Sequence, residues 1–366
     1  MLLGVDVGGT FTDAVLVAGT RVVTAKAPST PRDQSEGVLA AVRLALDRAG
    51  ADPSAVRSLS HGMTVATNAL LEGTGARTVG CATEGFTDVV ELARQHRHEL
   101  YRLCAARPAP LVPRERRVPV PERMVPGGVE RALEDPEAVA DAVAAHEPEA
   151  VAVCLLHAYA HPEHEQALGA ALRARLGDGV HVSLSHEVTA TFREYERAAT
   201  TEVDAALSPL LERYLRRLAA GAREAGLPEP DIMQSSGGLT TLDEAAAHAA
   251  LTVLSGPAGG AAAAALLSDH LGEPDLLCFD MGGTSCDVCV VQGGRVREAA
   301  GREVAGRPLA LPMVDIHTVG AGGGSIGWRD PGGALRAGPR SAGAEPGPAC
   351  YGRGGTEPTV TDANLV

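Results

Sequence analysis

Residues 2–22 read LLGVDVGGTFTDAVLVAGTRV, and residues 276–296 read LLCFDMGGTSCDVCVVQGGRV. The two stretches align without a gap at an offset of 274, with 11 of 21 positions identical. Unrelated segments of average composition would share about two, so the match marks a duplicated structural unit. Each copy reads the same way. An apolar run (residues 2–5 and 276–279) suits a buried strand that ends on an acid, Asp6 or Asp280. Gly8-Gly9-Thr10 or Gly282-Gly283-Thr284 follows as a turn in which glycine tolerates positive φ. A second strand (14–17 and 288–291), another glycine turn and a third strand beginning Arg-Val complete the unit. The spacing predicts an antiparallel meander whose first turn gathers an acid, two glycines, a threonine and a second acid, Asp13 or Asp287.

That turn has a specific chemistry. Glycines leave backbone N–H groups unscreened, which makes an anion nest, and the threonine hydroxyl adds a donor. The strand-end acid suits Mg²⁺, which keeps most of its water and is held by one or two carboxylates plus phosphate oxygens. A single copy reads as an ordinary Gly-Gly hairpin. Two copies with matching acids and threonines favour a pair of turns gripping the phosphates of a nucleotide across a cleft.

Between the copies the pattern is α/β. Residues 35–49 have helical periodicity and stop at Gly50. Short apolar strands are expected at 79–82, 150–156 and 180–184, with amphipathic helices at 135–145 and 163–176. Residues 107–126, rich in Pro and Arg, read as loop or edge. Residues 189–225 form a long helical bridge with a break expected at Pro209. Only 79 residues follow Asp287, so the second half reads as unfinished. The expected division is a first lobe over 1–188, then bridging helices and an incomplete second lobe over 189–366.

Composition narrows the partners. Of 366 residues, 45% are apolar and 21% charged, enough for packed cores. Lys+Arg 32 against Asp+Glu 46 gives a net charge of −14, the wrong sign for reading nucleic acid or an anionic membrane, so neither is an expected partner. The opening MLLGVD lacks a basic n-region. Seven scattered cysteines (Cys81, Cys104, Cys154, Cys278, Cys286, Cys289, Cys350) suggest no disulfide framework and a reducing cytoplasm. Residues 249–268 are uncharged and of membrane-span length, yet their Ala, Gly, Ser and Pro content reads as a strand, a Gly-Pro turn and an Ala-rich helix.

The duplicated motif resembles the actin, heat-shock-chaperone and sugar-kinase superfamily, a two-lobed α/β ATPase fold (actin-like, ribonuclease H-like) with a phosphate hairpin in each lobe. Further runs resemble the hydantoinase A/5-oxoprolinase family: GVDVGGTFTD (4–13), HGMTVATNA (61–69), TEGFTD (83–88), FREYER (192–197) with Thr200-Thr201, SGPAG (255–259), DMGGT (280–284), TVGAGGGS (318–325), and SAGA (341–344) through Cys350-Tyr-Gly. They cover almost the whole chain in order. The resemblance implies that Asp6, Gly8, Gly9, Thr10 and Thr12 form the first phosphate motif, and Asp280, Gly282, Gly283 and Thr284 the second. It implies ATP and Mg²⁺ as cofactors, Asp6 and Asp280 as metal-holding acids, His61 beside them in catalysis, and Thr64, Asn68, Arg94 and Gln95 near the substrate. Family members phosphorylate an amide or ketone oxygen, and a hydantoinase B-type subunit helps convert the product. An amide is a poor electrophile, a phosphorylated oxygen leaves far more readily, and phosphoryl transfer needs mainly positioning and charge neutralisation. The implied activity is ATP-dependent opening of a cyclic amide such as 5-oxoproline or hydantoin. The subunit of a ketone carboxylase and a non-catalytic remnant are the alternatives.

The sequence departs from the family pattern at Met63 and Cys286, where threonine is usual, and at 93–98 (ARQHRH, usually GRQNRP). The resemblance places the adenosine-binding glycine motif beyond residue 366. Three weaker signals read structurally. Cys286-x-x-Cys289 has no second pair. His157, His161 and His164 surround a proline turn. Gly322–Gly327 satisfies two glycine motifs that each need a helix next, so a sharp loop near the phosphate cleft is expected instead. A helix from 259 to 267 could present its N-terminus to an anion or simply pack on the sheet.

Overall fold

The computed structural model describes residues 1–8, 11–30, 33–96, 100–102, 109–343 and 345–366. Gly9, Thr10 and Cys104 lie outside the described residues, as does part of the 93–98 run. Strands β1 (Leu2–Val7), β2 (Phe11–Ala18) and β3 (Arg21–Pro28) form the first meander. Helix α1 (Gln34–Ala49) starts where the Asp33 carboxylate accepts the Ser35 N–H at 3.1 Å and stops at left-handed Gly50. Strand β4 (Ser58–Met63) runs parallel to β1, and α2 (Val65–Glu72) follows. Strand alternation sends Leu3, Val5, Val7, Ala14 and Leu16 into the core beside α1, while Asp6 and Asp13, cross-strand partners, stand on the other face.

A separate sheet follows. Its elements are β5 (Thr78–Thr83), α3 (Val89–Leu92), β6 (Arg117–Val120), the hairpin β7 (Arg123–Val125) and β8 (Gly128–Arg131), α4 (Pro136–Ala144), β9 (Ala150–Cys154), α5 (Glu163–Leu176), β10 (His181–Leu184) and α6 (Ser185–Val188). The order β10-β9-β5-β6 is wholly parallel and has its own core of Val79, Val151, Val153, Leu168 and Leu172.

Helix α7 (Glu194–Glu224) runs unbroken for 31 residues through Pro209, contrary to the expected break. Proline removes one donor and disturbs the preceding turn. Beside it the Ala206 carbonyl accepts the Ala76 N–H at 2.8 Å from outside the helix, and within the helix Ser208 Oγ donates to the Asp204 carbonyl at 2.8 Å. Strand β11 (Pro230–Met233) then joins β4 in parallel, followed by β12 (Leu239–Thr240) and α8 (Leu242–Ala247), giving a first sheet ordered β12-β11-β4-β1-β2-β3. Val203, Leu207, Leu211 and Leu215 of α7, with Ile232, Leu242 and Val253, share one core with Leu3 and Val5. Packing therefore joins α7 and the chain up to Val253 to the first sheet, while residues 79–184 keep a core of their own.

Residues 249–268 differ from the expected strand and turn. Ala249–Thr252 is a single tight helical turn, and α9 (Ser255–Leu271) starts early, with Pro257 in its first turn, where a missing N–H costs little. Among the described residues no helix is long and apolar enough to cross a membrane.

The second copy is β13 (Leu276–Met281), β14 (Cys286–Gln292) and β15 (Arg295–Val296). The duplication extends to single hydrogen bonds: Gly8 N–H donates to the Phe11 carbonyl at 3.0 Å, and Gly282 N–H to the Ser285 carbonyl at 2.9 Å. Asp280 faces Asp287 as Asp6 faces Asp13. One face of this sheet, with Cys289 and Val291, packs on Ala258, Ala261 and Ala264 of α9. The other presents Leu277, Phe279, Met281 and Val290 at 71%, 61%, 46% and 43% exposure. These are the counterparts of the buried Leu3, Val5, Val7 and Leu16. Among the described residues nothing covers that face as α1 covers the first, and no strand pairs with the outer edge of β13 as β4 does with β1. Short strands β16 (Glu298–Ala299), β17 (Arg302–Val304), β18 (Arg307–Leu309) and β19 (Met313–Val314) lead to β20 (Ile316–Val319) on β14, then β21 (Ser325–Arg329), β22 (Leu335–Ser341) and α10 (Val360–Leu365).

One buried cation ties α7 to the parallel sheet. Arg197 Nη2 donates to the Leu155 carbonyl (2.7 Å), Nη1 to the Thr191 carbonyl (2.9 Å) and Nε to Ser185 Oγ (3.1 Å). Arg197→Ala leaves these acceptors unpaired, so we expect it to destabilise the fold by about 3 kcal/mol. A lower urea midpoint with an unchanged slope would be the signature; an unaltered midpoint would contradict this role.

Candidate active site

The two duplicated acids meet along α9. A β-carbon placed on Gly62 would lie 3.0 Å from Asp6 Oδ1, and one on Gly256 3.3 Å from the same oxygen. A β-carbon on Gly260 would lie 3.7 Å from Asp280 Oδ2. Gly256 and Gly260 are i, i+4 neighbours on one helix face, so the two acids approach α9 at points about one turn, or ~6 Å of rise, apart. A side chain at 62 or 256 would crowd Asp6 Oδ1 and require its carboxylate to shift. Burial raises the Asp6 pKa, and Asp13 and Asp280 raise it further, against the opposing pull of Lys26. Such mutually repelling acids favour a cation between them.

The rim fits an anion. The N-terminal end of α9 lies beside Asp6 and Thr64, and its dipole is positive there. Thr64 Oγ1 donates to the Val7 carbonyl at 2.9 Å, and Asn68 Nδ2 lies 3.5 Å from Thr64 Oγ1. On the second hairpin, Gly323 N–H donates to the Gly282 carbonyl (2.9 Å) and Gly324 N–H to the Gly283 carbonyl (2.6 Å). A β-carbon on Gly322 would sit 2.7 Å from the Thr284 nitrogen, so only glycine permits this close approach. The glycine loop thus lies against Gly282, Gly283 and Thr284. Strand β21 follows it, and Ser325 Oγ is buried, accepting the Gly322 N–H at 2.9 Å. Gly8 and Gly282 spend their own N–H groups closing the turns, which corrects their reading as free anion donors.

Two expected site residues point elsewhere. Thr12 pairs with Val7 on the buried side of the sheet, its Oγ1 3.2 Å from Ser29 Oγ. His61 shares the buried face with Leu59 and Met63 and is 1% exposed. Its Nε2 lies 2.7 Å from the Tyr214 hydroxyl, and burial lowers its pKa to about 4. Strand alternation explains both, because Gly62 takes the Asp6 side and its neighbour must take the other. Cys286 and Cys289, three apart on β14, likewise face opposite sides. His164 and His161 go to different partners, Glu122 at 2.7 Å and the Pro126 carbonyl at 3.2 Å.

Arg94 belongs to a second site. It forms a two-point pair with Glu196 (Nε to Oε1, 2.8 Å) and lies over the Tyr195 ring. Ala93 and Gln95 beside it have φ of 50° and 56°. Arg94, Tyr195, Glu202 and Arg307 line a cavity of about 480 Å³ between α7, the segment after α3, and the β17–β18 hairpin. A smaller apolar pocket of about 40 Å³ adjoins it, lined by Ala82, Phe86, Ala152 and Leu156 at the C-terminal edge of the parallel sheet. Such edges are where open α/β sheets bind ligands. Glu202 lines both. It is 6% exposed, and burial pushes its carboxyl up to about 7 against the pull of Arg117 and Arg307. Sequence reading passed over Glu202 as one more charge on a charged helix. Its helical spacing from buried Ala199 and Ala206 was the available signal.

Sequence comparison fits this architecture. Residues 2–176 match the profile of the hydantoinase/oxoprolinase N-terminal region, and residues 197–366 that of hydantoinase/oxoprolinase. The chain belongs to the hydantoinase/oxoprolinase family. Among curated relatives of this family member, the caprolactamase alpha subunit of Pseudomonas jessenii is 40% identical over 100% of the chain and 54% of its own length. The 5-oxoprolinase of Saccharomyces cerevisiae is 33% identical over 99% of the chain and 31% of its own length. The crystal structure of the ATP-dependent caprolactamase from Pseudomonas jessenii superposes with a TM-score of 0.85 at 38% identity, covering 100% of this chain and 54% of that one. A nucleotide-free acetone carboxylase gives 0.84 at 28% identity, with 100% and 54% covered. The chain spans about half the length of the first curated relatives it matches.

The buried imidazole has a pH signature. His61 has a folded-state pKa of about 4 against an ordinary 6.5, so its neutral burial contributes stability above pH ~6.5 that is lost as pH falls towards 4. We expect His61→Phe to flatten the loss of stability between pH 7 and 4.5, read by urea unfolding at both values. Parallel pH profiles for the two proteins would contradict this assignment.

Proposed function

We propose that this chain carries the ATP-handling part of an enzyme that phosphorylates the oxygen of a cyclic amide for ring opening, acting with a hydantoinase B-type partner. The observation that carries the reading is the meeting of Asp6 and Asp280, one from each copy of the repeat, along the glycine face of α9. The donor set suits Mg²⁺. Two carboxylates are near each other, while among the described residues no three His, Cys, Asp or Glu side chains converge as a metal-holding group. Asp6 and Asp280 would hold the ion, which when bound neutralises polyphosphate charge.

The chain's own groups do the rest. The α9 N-terminus, Thr64 and the turn at Gly283-Thr284 orient the polyphosphate, with the 320–324 loop bracing that turn. The amide oxygen then bonds to the γ-phosphorus as the bond to the ADP oxygen breaks. Water adds to the activated carbon and the C–N bond breaks, the ring nitrogen leaving as the amine with the water's proton. A second water then cleaves the resulting acyl phosphate, leaving an amino acid, ADP and phosphate. A ketone as the phosphorylated group is the second reading, favoured by the acetone carboxylase likeness; the higher identity to a caprolactamase supports the amide.

In the complete protein with its partner, Asp6→Asn and Asp280→Asn should each cut phosphate release from ATP by about 100-fold or more. Thermal unfolding should stay near that of the parent. Full turnover by either variant would remove the two acids from the mechanism.

A further inference from the structure

We infer that the cavity at Glu202 seats the cyclic amide and that the Glu202 carboxyl reads the N–H and C=O edge of its ring, an inference that rests on the amide-phosphorylating reading above. A ring holds its amide cis, so N–H and C=O point the same way, whereas an open-chain amide is almost always trans and splits them. A protonated carboxyl offers one donor and one acceptor side by side, matching the cis edge with two hydrogen bonds. The geometry supplies the remaining pieces. The cavity of about 480 Å³ falls within the usual range for small-molecule sites, and the adjoining pocket offers an apolar wall for ring methylenes.

Arg307 supplies a donor. Its Nη1 and Nη2 are satisfied by the Ala305 (3.0 Å) and Ala109 (2.9 Å) carbonyls, but its Nε is buried with no hydrogen-bond partner among the described residues. Buried orphan donors are rare in folded proteins and point to an absent acceptor, here a ligand carbonyl. Arg117, the nearest strong cation on the β6 side, directs its guanidinium to the Val112 and Thr87 carbonyls. Ala93, whose backbone is left-handed, lines the same cavity, and such strain concentrates at ligand sites.

Protonation sets the pH response. Glu202 titrates near 7, so the two-point pairing is available below that value and fades above it. Facing it or its cavity are Arg116 and Arg117 from the β6 side, and Arg307 and Glu303 from the hairpin. Glu91, Arg94 and His96 come from the α3 segment, and Glu194 and Tyr195 from its own helix.

Calorimetric titration of the full protein tests the inference, with ε-caprolactam as the cis amide and N-methylacetamide as the trans amide. We expect the lactam to bind about tenfold more tightly at pH 6 than at pH 8.5, and N-methylacetamide at least tenfold more weakly than the lactam at pH 6. Glu202→Gln keeps a donor and an acceptor without titrating, so it should bind lactam with little pH dependence. Glu202→Met should lose about tenfold or more at pH 6, with thermal unfolding confirming that it folds. Wild-type-like lactam binding by Glu202→Met, a flat wild-type pH profile, or equal binding of the trans amide would each overturn the assignment. Asp6→Asn separates this from the ATP reading. It should leave lactam binding intact, so a protein that binds lactam as described but never hydrolyses ATP defeats only the ATP reading. One that hydrolyses ATP but binds lactam indifferently to residue 202 defeats only this inference.

Discussion

The rest of the site depends on the approach of α9 to Asp6 and Asp280. Carboxyl oxygens lie so near the backbone of Gly62 and Gly256 that an added β-carbon would stand at 3.0 to 3.3 Å. This fixes the separation of the two hairpins, because Gly260 one turn later meets the acid of the second copy. Helix α9 is therefore more than a connector. Its alanines pack the second sheet, its glycines admit both acids, and its positive end opens onto the cleft they form.

The two copies differ most in what covers them. The same alternating apolar residues are sealed beside α1 in the first and open to solvent in the second. Similar local sequence thus builds matching hairpins, down to the hydrogen bond that closes each turn, while burial depends on the layer packed behind. An exposed apolar face of this size is unusual for a finished sheet. It agrees with the chain spanning about half the length of the first curated relatives it matches.

Helix α7 links the two sites. Its buried residues complete the first core, Arg197 anchors the parallel sheet, and Glu202 closes the wall between two cavities. The proline at 209 sits inside a helix whose neighbouring residues Leu207, Ser208 and Leu211 are all buried, a packing that no local propensity can foresee.

The repeat at 2–22 and 276–296 alone determined the meanders, the paired acids and the two-lobed plan, since strand alternation and glycine turns are local properties of the chain. The glycine loop at 320–324 was also legible, because only its sequence permits so close an approach. Facing was not. His61 and Gly62 are adjacent in one motif, yet the sheet sends one under α7 and the other to Asp6, a choice made by which face found a helix to bury it. The same holds for Thr12, whose motif named it and whose strand parity buried it. Glu202 shows the converse: its charge was visible in the chain, but its isolation from water exists only once α7, the α3 segment and the β17–β18 hairpin enclose it. Burial is a relation between distant segments, and so it belongs to the tertiary structure.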